Sequence, residues 1–137
     1  MFDLNKLDTL TASEEGRWWH PINPKTGAQM KLPDGQTFGF LLVGAAADIF
    51  RDSVRRATEA RLLIEQSNAR VSTEQEDKLM AEHMARCTKA WPPMMVDGVE
   101  FPCTYDNAVK LWSDPRFAWL RPGARAFMQS DAHFFPE

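Results

Sequence analysis

The chain has 137 residues, 16 Lys and Arg against 19 Asp and Glu, a formal net charge of −3 and 44% hydrophobic residues. That length and mix fit one folded domain rather than a disordered chain. The slight acidity, with Arg and Asp or Glu interspersed along the chain, excludes an electrostatic footprint for nucleic acid.

Two cysteines, Cys87 and Cys103, are too few for a disulfide framework. The longest apolar run, Phe38 to Ala47, is far short of the ~20 residues that span a bilayer. The opening MFDLNKLDTL lacks the basic start and apolar core of a signal peptide. The expectation is a soluble intracellular protein with neither a membrane nor a nucleic-acid partner.

Residues 1–15 read as an arm, loose or with a short helix starting in TASEE. Residues 16–137 read as a single α+β domain, β-rich over 16–44 and helical over 45–137. In the β-rich part, Asn23-Pro24-Lys25-Thr26-Gly27 and Pro33-Asp34-Gly35 have turn chemistry, because Pro presets φ and Gly accepts positive φ. Three short strands follow from those breaks, near Trp18 to Ile22, Gln29 to Leu32 and Thr37 to Val43. The fold class is therefore α+β, with a small antiparallel three-stranded sheet near the N-terminus followed by four to five helices.

From Ala45 to about Gln66, Ile49, Phe50, Val54, Ala57, Ala60 and Ile64 recur at three- and four-residue steps, the period of a helix with one apolar face. Thr73 with Glu76 three residues on reads as a capping box. The helix it opens aligns Met80, Met84, Cys87 and Trp91 and is expected to run to the Pro92-Pro93 stop. Asp97-Gly98 is a turn, Thr104 an N-cap for a short helix through Trp112, and Asp114-Pro115 a helix restart. Phe117, Leu120, Ala124, Phe127, Asp131 and Phe134 continue a helical stripe, split by Pro122-Gly123.

His83 and Cys87 stand four apart on a helix, a spacing that two metal ligands can use, with Cys103 and His20 or His133 available to complete a set. There is no C-x-x-C or H-E-x-x-H motif, and Cys87 lies on an apolar stripe, so it reads as a buried structural thiol. Glu14-Glu15 and Glu74, Glu76 and Asp77 read as charges at helix N-termini rather than as acid–base pairs. Gly39 and Gly44 match no phosphate-binding loop. The expectation is a non-enzymatic protein without a metal or cofactor.

Five Trp and nine Phe are the more informative feature. Adjacent Trp18 and Trp19 point to opposite faces of a strand. Core packing absorbs most of these rings, including Trp91. Trp19, Met94, Met95, Trp112, Trp119, Phe134 and Phe135 are the candidates for an exposed partner-binding patch.

WWHPINPKTGAQ followed by a Gly turn and strand, an apolar helix with dispersed Arg, and a helix ending in Trp set an order of parts. AWPPMMVDGVEFPCTYDNAVKLWSDPRFAWLRPGARAFMQSDAHFF completes it with a D-G turn, an Asn-Ala-x-x-Leu helix, a Pro restart and a final helix closing on Phe. This order, over residues 16–135, resembles the tail assembly chaperones of long-tailed bacteriophages. The resemblance implies an assembly factor without catalytic residues. It would bind the tape measure protein, keep it soluble and help recruit tail tube subunits, and copies aligned along one long partner would make a homo-oligomer. It also implies residence in the host bacterial cytoplasm and absence from the mature virion. The competing expectation is a minor tail or tail-completion protein of the virion.

Overall fold

Arg17–Trp19 (β1), Phe40–Leu42 (β2) and Thr88–Ala90 (β3) form a three-stranded antiparallel sheet, in that spatial order, in the computed structural model, which describes residues 1–137. The fold is α+β: this small sheet is combined with helices α1 (Leu10–Glu15), α2 (Asp48–Gln66), α3 (Thr73–Cys87), α4 (Tyr105–Ser113) and α5 (Arg121–Gln129). Leu4–Leu7, Pro115–Leu120 and Asp131–His133 are short 3₁₀ turns, and Met95–Val96 (β4) pairs with Val99–Glu100 (β5) in a separate hairpin.

The third strand of the sheet differs from the expected one. Gln29–Leu32 takes part only in isolated bridges, Ile22 with Gln29 and Lys31 with Thr37. Its place beside β2 is taken by Thr88–Ala90, which the stripe from Met80 to Trp91 had assigned to helix. Thr88 explains the switch. Its backbone is extended, and its hydroxyl donates to the Met84 carbonyl at 2.7 Å, closing the helix one turn before Trp91. The amide of Val43 then donates to the Cys87 carbonyl at 3.1 Å, so the chain leaves α3 already paired to the sheet.

Both expected turns of the β-rich part are present: Gly27 and Gly35 adopt φ of +72° and +89°, and their amides donate to Asn23 and Leu32 carbonyls. Two caps sit elsewhere. Ser72, not Thr73, caps α3, in a reciprocal box with Gln75. Helix α1 starts at Leu10, ahead of TASEE, because the Asp8 carboxylate accepts from the Leu10 amide at 2.8 Å. Glu14 and Glu15 therefore end α1 instead of opening it, but Glu14 Oε1 accepts from the Asp48 amide at 3.0 Å and so caps α2. Thr104 and Asp114 cap as expected, each accepting from an amide two or three residues on.

The core is an aromatic layer between the sheet and the helices. Phe40 stacks on Trp19 and meets Trp91 and Trp112 at centroid separations of 6.0, 6.1 and 5.3 Å. Leu42, Val43, Met84, Cys87 and Met128 fill the space around it and are buried. The Trp112 indole N–H donates to Thr88 Oγ1 at 3.0 Å, so the hydroxyl that ends α3 also satisfies the most deeply buried Trp.

Gly44 is where three distant segments meet. Its amide donates to the Ser13 carbonyl at 3.1 Å, and a methyl group on it would stand 2.9 Å from the Phe134 ring and still closer to the Ser13 hydroxyl. Only glycine fits between those two neighbours.

Candidate functional site

Trp91 closes the core from below the connector that follows it. It is buried, stacks on Phe101 at 5.6 Å and 7°, and its indole N–H donates to the Phe101 carbonyl at 2.8 Å. Pro92 and Pro93 have no N–H with which to extend the strand Thr88–Ala90, and the Phe101 amide returns to the Met94 carbonyl at 2.9 Å. Between these anchors Asp97 and Gly98 turn the chain with φ of +53° and +77°, the two positive values that a tight two-residue hairpin needs.

The tip of that hairpin is fastened from outside. Arg116, on the Pro115–Leu120 turn, holds Asp97 through two contacts of 2.7 and 3.2 Å and Asp114 through three more of 2.7, 3.1 and 3.2 Å. These bonds keep the Asp97 and Asp114 carboxyls below the usual carboxylate range and push the Arg116 guanidinium further up. The guanidinium also lies 5.1 Å from the centre of the Phe117 ring.

The fastened hairpin presents apolar side chains to solvent: Met95 is 68% exposed and Val99 66%. Beneath it lies a cleft of about 700 Å³, walled by Trp91, Pro92, Met94, Phe101 and, from the β-rich part, Leu32 and Pro33. Glu100 is the one ionic side chain among its lining residues. A rigid backbone carrying a flexible thioether over an apolar floor suits a contact surface for an apolar partner.

Of the seven candidates for partner contact, the cleft brings together Met94, half-buried in its floor, and Met95 at its rim. Trp119 and Phe135 are exposed at 44% and 38% but do not line it. Trp112 and Phe134 are corrected: at 0% and 1% exposure they belong to the core, Trp112 against Phe40 and Phe134 against Phe127 and Gly44. Trp19 is half-buried between Phe40 and Gly123, whose missing side chain leaves room for the indole. Its neighbour Trp18 is the ring that faces out.

A polar cluster that the sequence did not suggest joins α2 to α3. Ser53, buried at 1%, lies 2.7 Å from His83 Nδ1 and accepts from Arg86 Nε at 2.7 Å. Arg86 also donates to the Ser53 carbonyl. Burial, then the charges of Arg86 and Arg125, lower the His83 pKa to about 4, so the imidazole is neutral at neutral pH. Arg86 can only donate, which occupies one Ser53 lone pair and leaves the hydroxyl proton available to His83. The Ser is enclosed by its two helices, so the cluster acts as a cross-link between them.

Burial pushes the Cys87 thiol up to about 12, and Cys103 also lies above its ordinary value through burial. Neither carries the thiolate character of a reactive cysteine. No three His, Cys, Asp or Glu side chains come together where they could hold a metal ion, and no helix is long and apolar enough to cross a membrane.

No protein-family model matches the chain, and neither a curated protein nor a solved structure is significantly similar to it.

Proposed function

We propose that this chain is a non-enzymatic tail assembly chaperone of the long-tailed bacteriophage type, which binds the tape measure protein and helps recruit tail tube subunits around it. The observation that carries the reading is the fastened hairpin with Met95 and Val99 exposed above an apolar cleft. The order of parts in the sequence, apart from the helix expected to end at Trp91, is the second support for it. A tape measure is a long, apolar-striped helical chain that aggregates when left uncovered. Holding it takes apolar surface on a rigid mount with side chains that adapt to successive turns of a helix, and Met supplies that adaptability. Several copies on one partner gain from avidity. The reading places the protein in the host cytoplasm and outside the finished particle.

Co-expression with a tape-measure fragment tests this reading. The fragment is expected to stay in the soluble fraction and co-purify with the wild-type chain. With Met95→Asp it should precipitate, while the melting curve of the chaperone stays unchanged. A fragment equally soluble without the chain would refute the reading. Abundant chain in purified virions by mass spectrometry would instead assign it to the minor tail or tail-completion proteins.

A further inference from the structure

Helices α2 and α3 run beyond the core. No residue of α2 after Ser53 is buried, and none of α3 before Ala81. Along this projecting pair the apolar seam is only half covered: Val54 is 44% exposed, and Ala57, Leu79 and Met80 are partly open. With Met128 of α5 at its base, the seam forms a furrow of about 240 Å³. Two helices side by side cannot enclose such a seam, whereas a third helix laid into the furrow does. The small side chains of Ala57 and Thr58 on its wall permit a close helix–helix approach.

The charges along the furrow say what the third helix must carry. Three arginines border it and the adjoining depression: Arg61, Arg121 and Arg125. Arg61 is paired with Glu76 at 2.7 Å and Arg121 with Asp77 at 3.6 Å. Arg125 has no carboxylate within 4 Å, and its charge instead bears on the neutral imidazole of His83. The furrow thus ends in one unanswered positive charge beside an apolar floor.

We propose that the furrow between α2, α3 and α5 is a second docking site, which takes one amphipathic helix of a partner protein with an acidic residue at the edge of its apolar stripe, set against Arg125. The site shares no lining residue with the cleft under Met95, so it stands whether or not that cleft holds a tape measure.

Two fluorescein-labelled synthetic helices test it by anisotropy with the full chain. Both carry the same Leu/Ala stripe, one with Glu at the stripe edge and the other with Lys there. The Glu peptide is expected to bind and the Lys peptide to bind about tenfold more weakly. Arg125→Glu should reverse that preference. Thr58→Trp, which fills the furrow from an exposed position, should abolish binding of both, and Met95→Asp should change neither. Arg125 and Thr58 are exposed, and unchanged melting curves for their variants confirm that the fold is intact. Absence of binding, a preference that Arg125→Glu leaves untouched, or loss of binding with Met95→Asp would each overturn the proposal.

Discussion

The neutral His83 makes a prediction about acid stability whose sign and size follow from its surroundings. Its folded pKa is about 4 against an ordinary 6.5, with burial the main cause and Arg86 and Arg125 adding to it. Between those two values the unfolded chain binds a proton that the folded chain refuses. Stability from this group is therefore fully present above pH 6.5 and is lost as the pH falls toward 4. At about pH 4.5 the loss amounts to about 2–3 kcal/mol relative to neutral pH. That is a sizeable part of the 5–15 kcal/mol typical of a domain, about. Asp52, Asp97 and Asp114 are held below their ordinary 3.8 by arginine partners, so the stability they supply is still present at that pH and they add little to the loss. Urea unfolding at neutral pH and at about pH 4.5, for wild type and His83→Gln, isolates the term. The wild type should lose about 2–3 kcal/mol more than the variant over that interval. Equal losses in both proteins would refute a neutral, desolvated His83.

Phe134→Ala should lower stability by about 3–5 kcal/mol through the cavity it leaves, while Trp119→Asp stays within about 0.5 kcal/mol because the ring lies on the surface; thermal melts distinguish these, and equal effects would contradict the burial difference. Trp112→Phe should cost about 1–3 kcal/mol in urea unfolding, since it removes the N–H donated to Thr88 Oγ1. In native protein, iodoacetamide should label the half-buried Cys103 before the buried Cys87, read by peptide mass spectrometry; the reverse order would mean that the sheet end of α3 opens easily.

Much of the architecture is legible from residues with a single local meaning. Asn23-Pro24, Asp34-Gly35, Asp97-Gly98, Thr104 and Asp114-Pro115 each dictate a turn or cap through their own backbone and side-chain chemistry, and each does so in the structure. Thr88–Ala90 carries no such signal. Three residues are too short for a period, and their extended form depends on pairing with Leu41 and Leu42, far away in the sequence. The aromatic candidates fail in part for the same reason. Composition shows that the rings are many, but Trp112 and Trp119 differ only in which neighbours the tertiary fold brings to them. Met95 is legible as an exposed side chain because the Asp97-Gly98 turn sets it on a short hairpin outside the core. The cross-link of Ser53, His83 and Arg86 had no signal at all, since it joins residues some thirty positions apart on two helices.

Gly44 also bears on how the molecule is made. Its two contacts come from Ser13 and Phe134, segments far apart in the sequence, so the crevice around it is closed only by long-range contacts, which form late in folding. Helix pairing between α2 and α3 can form early, since those segments are neighbours in the chain. The docking of α1 on the sheet gains its outer wall last, when Phe134 arrives.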